Sequence, residues 1–378
     1  MRIGILTIHR LYNYGTALQA FALQHYLYKK YGYDVELIDY IYPNKETQNG
    51  VSFLERSKKK LRTLRDDIFY CNRDKKKLFQ KFRDKYFVCS PKQYSCYEDL
   101  QKNCPQYDIY ITGSDQVWNI KTIKGNPVFY FDFLQNKQYI ISFSASFAIK
   151  AIPKSYHDII RNRLLKYSYI GVREKSGIDI LKSLSLPSNI KCANTVDPTF
   201  LLSAIDYDNI AYQSCIKLDY QFILVYKLEY AFNPTPAMDV VINELQKSLG
   251  YDVVVIGKSK INTNGKVKHL YNVGPAEFLW LFKHAKYIVT SSFHGTMFSL
   301  IYRKAFISIT PKRNEDDKRI QDLLESIGLS SCMITSDTSH YLYTESCIYT
   351  NDVEKKIETM INDSCTFLHE AITNNHKT

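Results

Sequence analysis

No apolar run in this 378-residue chain approaches the ~18 residues needed to cross a bilayer. The amino-terminal stretch MRIGILTIHR is too short in its apolar part for a secretory signal, and no small-residue cleavage site follows it. It reads as a buried strand. Both absences predict an intracellular, cytoplasmic protein. No CxxC pair occurs among the nine cysteines, at positions 71, 89, 96, 104, 192, 215, 332, 347 and 365, and no zinc site is visible. Their odd number and the intracellular setting predict free thiols. The turns lack the lysine of a Walker loop and the three glycines of a dinucleotide fingerprint, so neither NTP hydrolysis nor NAD binding is supported. There is no nucleic-acid-binding motif, no short-period repeat and no low-complexity segment.

What is present is a globular composition, with 45% hydrophobic residues, in a chain long enough for two domains. The formal charge is +12, and its placement matters more than its size. Between Arg56 and Lys85 lie thirteen Lys/Arg and four Asp, a local charge of +9. Leu61, Leu64 and Ile68 recur there at helical spacing, as do Leu78, Phe82 and Phe87 less regularly. The pattern predicts one or two basic amphipathic helices, an insertion spanning 53–90. Such a surface suits an anionic membrane or a diphosphate, and equally a merely solvated face.

Strand and helix patterns alternate along the chain. Strands are predicted at 2–8, 34–41, 108–112, 139–146, 169–173 and over Thr195-Val196-Asp197-Pro198. Helices are predicted at 15–31, closed by Gly32, and at 155–167 and 175–185. The pattern restarts with FILVY at 222–226, a helix at about 236–248 closed by Gly250, and VVVIG at 253–257. A helix near 276–285, a strand before His294, a helix at 295–303 and a strand at 305–309 follow. Such alternation builds parallel sheets covered on both faces. The expected architecture is α/β, two Rossmann-like domains facing a cleft. Residues 1–205 form the first, and residues 206–378, after a polar stretch near 203–220, the second.

Ligands of such sheets bind at the strand carboxyl ends. Four turns fall there. In HRLYNYGTALQA, Arg10, Asn13, Gly15 and Thr16 precede or open a helix whose free N–H groups suit an anion. In TGSDQVWN, Ser114, Asp115, Gln116 and Trp118 follow a strand. Asp115 reads as a general base or as a helix cap, and Gln116 and Trp118 as sugar contacts. In GVREKSG, Arg173 offers a bidentate fork for carboxylate or phosphate, or a surface ion pair. In TSSFHGTMFSL, Ser292, His294, Gly295 and Thr296 sit where a strand becomes a helix. His294 there suits proton transfer to an anionic ligand, although a histidine at a strand end also serves as a hydrogen-bonded structural residue.

Taken in order, NYGTALQAFAL, GSDQVWN, SFSAS, VREKSG, VDPTFLL and SSFHGTMFSL resemble the polysaccharide pyruvyl transferases, from residue 1 to about 330. The resemblance implies two Rossmann-like domains similar to the glycosyltransferase B fold. It implies transfer of pyruvate from phosphoenolpyruvate onto a sugar, giving a ketal that bridges two hydroxyls of a capsular or exopolysaccharide repeat unit. It places His294 and Arg173 at positions that hold phosphoenolpyruvate. Many members carry an arginine two residues before this histidine; here that position is Ser292. A second cation must come from elsewhere, and Lys304, Lys312, Arg313, Arg319 and Arg10 are the candidates. His294 is expected to assist the phosphate side and Asp115 the sugar hydroxyl, with no metal or other cofactor. The expected partners are phosphoenolpyruvate, a glycan acceptor carried on a polyprenyl diphosphate, and the inner face of the membrane, with no nucleic acid. Two other readings remain open on the sequence: a nucleotide-sugar-dependent glycosyltransferase of the same fold, and a non-catalytic polysaccharide- or membrane-binding protein.

Overall fold

A computed structural model describes residues 1–42, 72–228, 232–312, 315–344 and 349–377. Two six-stranded sheets carry the molecule, and every strand pair in them is parallel. The first has the order β2-β1-β3-β4-β5-β6, built from Arg2–Leu6 (β1), Asp34–Leu37 (β2), Ile109–Asp115 (β3), Ile140–Ala145 (β4), Tyr167–Val172 (β5) and Lys191–Asn194 (β6). The second has the order β12-β11-β10-β7-β8-β9, built from Phe222–Tyr226 (β7), Asp252–Ile256 (β8), Val267–Leu270 (β9), Tyr287–Thr290 (β10), Ala305–Thr310 (β11) and Met333–Thr335 (β12). Central strands such as β3, β4, β7 and β10 are buried along their whole length, which is why they read as continuous rather than alternating runs.

Helices cover both faces. The first, Tyr14–Tyr31, is closed by Gly32 at φ 67, a left-handed cap that glycine adopts without strain. One continuous apolar core runs through this helix, the helices Pro275–His284 and Phe293–Ile301, and inward faces of both sheets. At its centre Tyr14 stacks on Phe278, with ring centroids 4.6 Å apart, and its hydroxyl donates to the Val273 carbonyl at 3.1 Å. The two domains therefore meet through packed side chains.

Three features depart from the sequence reading. The segment Thr195–Pro198 lies just past the end of β6 rather than forming a strand. The polar stretch near 203–220 holds the helix Ala204–Ala211, with a capping box between Ser203 and Asp206. The C-terminal helix Asn351–Thr373 leaves the second domain and packs back on the first. There Tyr139 donates its hydroxyl to the Ala371 carbonyl at 2.8 Å, and the Val196 N–H donates to Ser364 Oγ at 2.9 Å. At its start the same helix stays tied to the second domain, where Arg303 donates to Glu354 at 2.6 Å, so it bridges the two units.

The described part of the basic insertion forms one helix, Asn72–Tyr86, with Phe79 and Phe82 buried; residues 53–71, including Leu61, Leu64 and Ile68, lie outside the described residues. Six described cysteines are free thiols, at 89, 96, 104, 192, 215 and 365. Cys332 is disulfide-bonded, which corrects the free-thiol expectation at that position; sequence spacing does not report contacts made by the fold. Among the described residues no helix is long and apolar enough to cross a membrane.

Candidate active site

The carboxyl ends of the two sheets face each other across a narrow cleft of about 50 Å³. Two helix amino-termini converge on it. Asn13 caps the first helix, its side chain accepting the Thr16 N–H at 3.2 Å. Ser292 caps the helix Phe293–Ile301, its Oγ accepting the Gly295 N–H at 3.2 Å. Both positive helix ends thus point at one space, which favours an anion there. They approach so closely that a Cβ placed on Gly15 would lie 2.0 Å from His294 Nδ1. Glycine is the residue this contact tolerates.

Asp115 ends β3 at φ 70, in the left-handed region. For a residue other than glycine this costs roughly 1–3 kcal/mol, and strain of this kind is found at sites of function. Its carboxylate accepts from Thr16 Oγ1 at 2.8 Å and from the Gln116 N–H at 2.9 Å. Ser114 points the other way, donating to the Ser144 carbonyl at 3.0 Å and reaching Asp197 Oδ2 at 3.4 Å.

Asp197 is the hub. It is fully buried, and its Oδ2 receives Arg173 Nη1 at 2.7 Å and faces His294 Nε2 at 3.4 Å. Its Oδ1 accepts from the Thr199 N–H at 3.1 Å and from Thr199 Oγ1 at 2.8 Å. Burial pushes this carboxyl upward, but the charges of His294 and Arg173, with the hydrogen bonds, hold it well below the usual carboxylate range. The imidazole sits with Nε2 toward Asp197, at ion-pair distance but without a hydrogen bond, and with Nδ1 toward the Gly15 backbone.

The Arg173 side chain is buried, and its Nη2 lies 3.7 Å from Asp115 Oδ1. Nε and Nη2 of this guanidinium have no hydrogen-bond partner, a costly condition for a buried charged donor. Its carbon sits 4.6 Å from the Phe293 ring centroid, and that of Arg319 sits 5.4 Å from the same centroid. Arg319 lines the cleft and donates from Nε and Nη2 to Asp317 at 2.8 and 2.6 Å. Burial raises the Asp317 carboxyl, and Arg319 outweighs that and lowers it.

The fold therefore brings together His294, Asp115, Ser292, Asn13, Thr16 and Gln116 around one space, with Gly15 against the imidazole, while Arg173 lines an adjoining cavity with Asp197, Phe293 and Arg319. Other residues predicted for it lie elsewhere. Trp118 is core: its Nε1 donates to the Phe129 carbonyl at 3.2 Å and its ring stacks on Tyr130. An indole that completes a core cannot offer a face to a sugar. Thr296 turns inward to Ser308 Oγ at 2.7 Å, and Gly295 packs against Thr290. Arg10 is clamped on both carboxylate oxygens of Asp39. Lys304 precedes β11, at the sheet edge opposite the cleft. Lys312 is exposed beyond β11, and Arg313 lies outside the described residues. Sequence reasoning missed Asp197, Phe293 and Asp317. For Asp197 a signal existed: Asp before Pro caps the short helix Pro198–Leu201 at a strand end.

Among the described residues one group of side chains has metal-ligand character, His9, Asp39 and Cys89, with donor atoms within 4.8 Å of one another. Arg10 already neutralises Asp39, and burial pushes the Cys89 thiol up to about 12. The group reads as an ion-pair network at the end of β1 and β2.

The sequence pattern of the family described as polysaccharide pyruvyl transferase matches residues 13–313, most of the chain and all four cleft turns from Asn13 onward. The chain belongs to that family. No curated protein sequence matches it. Among solved structures, UDP-GlcNAc 2-epimerase from Neisseria meningitidis, bound to UDP-GlcNAc, superposes with a TM-score of 0.51 at 10% identity, over 99% of this chain and 100% of that one. Arabidopsis thaliana UGT89C1, complexed with UDP-L-rhamnose, gives 0.51 at 10% identity, over 99% and 98%. At such identity the likeness is one of fold. This pyruvyl transferase family member has the glycosyltransferase B fold.

Proposed function

We propose that this family member transfers pyruvate from phosphoenolpyruvate to two hydroxyls of a sugar in a glycan acceptor, forming a ketal. The observation that carries the reading is the Asp197–His294 contact beside Arg173, at two converging helix amino-termini. That arrangement supplies fixed positive groups for an anionic donor and, for proton transfer, a buried imidazole facing a carboxylate.

In the reaction, C3 of the enol phosphate takes a proton and becomes a methyl group. The first sugar oxygen bonds to C2, and the second displaces phosphate from C2. One hydroxyl proton balances the proton gained at C3, and the other leaves with the phosphate. His294 acts on the phosphate side. Asp115, pointed into the cleft and held by Thr16, takes the hydroxyl proton. Arg173 holds the donor.

The basic helix Asn72–Tyr86 supports a lipid-linked acceptor. Arg83 Nη1 donates to the Arg10 carbonyl at 2.9 Å, and Lys75 Nζ sits 4.9 Å from the Tyr14 ring centroid. The helix thus borders the His9–Gly15 turn, where it would meet an acceptor diphosphate at the inner face of the membrane.

The test is incubation with phosphoenolpyruvate and glycan acceptors, reading released phosphate and the mass of the product. Phosphate release with gain of one pyruvyl group supports the reading. Turnover of a UDP-sugar with release of UDP, and none of phosphoenolpyruvate, replaces it with a glycosyltransferase. Binding of glycan without turnover of either donor replaces it with a binding protein.

A further inference from the structure

We infer that Arg319 binds the second anionic group of the donor. The inference rests on the donor assigned above. Phosphoenolpyruvate carries a carboxylate and a phosphate on neighbouring atoms, so holding both requires cations on two sides. Arg173, which shares an adjoining cavity with Phe293 and Arg319, supplies one. Ser292 is neutral and short, and its Oγ is engaged in capping the His294 helix. Among the described residues Arg319 is the arginine or lysine that lines the cleft wall with Ser292, Phe293 and His294.

The geometry pairs the two arginines. Their guanidinium carbons lie 4.6 and 5.4 Å from the centroid of one ring, Phe293. Each is anchored by its own carboxylate, Asp197 for Arg173 and Asp317 for Arg319. Anchoring fixes each planar fork in advance, so little side-chain freedom is lost when an anion arrives. Gln116 ties Arg319 to the opposite domain: turned with its carbonyl toward the guanidinium, it accepts from both Nη atoms at 3.0 Å. A phosphate or carboxylate oxygen arriving in the cleft takes the place of that amide oxygen. An uncharged acceptor is thereby exchanged for a charged one on the same donors.

Asp317 also lines the cleft, so the arginine is held in place by a group that repels the donor. The predicted signature is therefore a large effect on donor affinity and a small one on the acceptor.

The experiment compares wild type with Arg319→Gln, Arg319→Lys and the double variant Arg319→Gln/Ser292→Arg. It reads donor KM, acceptor KM, calorimetric binding of phosphoenolpyruvate and melting temperature. Arg319→Gln is expected to weaken donor binding at least ~10-fold, the loss of one charge-assisted contact, with acceptor KM nearly unchanged. Arg319→Lys falls between, because the charge remains and the fork is lost. The double variant, which places an arginine on the facing cap residue, is expected to recover donor affinity. Wild-type turnover of phosphoenolpyruvate with unmoved donor affinity in Arg319→Gln overturns this inference alone. Equal loss of donor and acceptor binding with a lowered melting temperature and no recovery also overturns it, leaving Arg319 a structural residue. A wild type that neither binds nor consumes phosphoenolpyruvate overturns the donor assignment and this inference with it.

Discussion

Gly15 and His294 touch across the cleft with no room between them for a methyl group, whose carbon would fall 2.0 Å from the imidazole Nδ1. The contact joins the first helix of one domain to the His294 helix of the other. Gly15→Ala must therefore displace the imidazole or part the domains. Because misplacement by about 1 Å can lower rates on the order of 100-fold, a fall of that size in kcat/KM is expected with a modest change in melting temperature. Wild-type kinetics in Gly15→Ala would show that the contact is slack.

His294→Ala is expected to lower kcat by at least ~100-fold with the fold intact, as loss of a proton-transfer group does. Asp197→Asn removes the charge that faces the imidazole, and it also leaves Arg173 buried without its closest carboxylate. Breaking a buried pair in this way costs roughly 3–5 kcal/mol, so this variant is expected to lose both rate and stability. Kinetics and urea denaturation on the two proteins separate the roles. Equal stability loss in both would argue that His294 is itself structural.

Acid stability carries the signature of two carboxyls. Asp197 and Asp39 are both held below their ordinary value of 3.8, although burial opposes this. His294 and Arg173 outweigh burial at Asp197, and His9 and Arg10 outweigh it at Asp39. Each contributes stability that is complete above the unfolded-state value. That stability is lost as pH falls below it toward the folded-state value, at up to about 1.4 kcal/mol per pH unit per group. Denaturation midpoints measured from pH 5 to pH 2 are expected to fall steeply in wild type and less steeply in Asp197→Asn. Parallel curves would refute the assignment.

Much of the fold was legible because parallel strands buried on both faces are written as unbroken apolar runs. The runs at 222–226 and 305–309 became β7 and most of β11. The short edge strands β9 and β12 were not legible, since an edge is half solvated and carries no such run; β9 reads VKHL. At the site, His294 and Asp115 stand out because each follows a strand. Trp118 stood in an equally suggestive string, but which way a turn throws its side chain depends on packing from distant segments, here Phe129 and Tyr130. Asp197 carried a local signal, an Asp before Pro at a strand end, but its role rests on Arg173 and His294, which are likewise remote in sequence.

The basic helix is expected to bring the protein to anionic bilayers. Each Lys or Arg near such a surface contributes roughly 1 kcal/mol. Co-sedimentation with anionic liposomes should fall when Lys75, Lys76 and Lys77 of this helix, with Lys58, Lys59 and Lys60 beyond the described residues, are changed to Gln. Equal sedimentation of both proteins, or none by wild type at moderate salt, would leave the helix as solvated surface.

The return of the C-terminal helix braces the site from behind. Ser364 accepts from the N–H of Val196, the residue before Asp197, and Ala371 accepts from Tyr139 beside β4. Asp197 and the imidazole it faces thus rest on a helix that does not line the cleft. A substitution on that helix reaches the chemistry through the backbone, without touching a bound substrate.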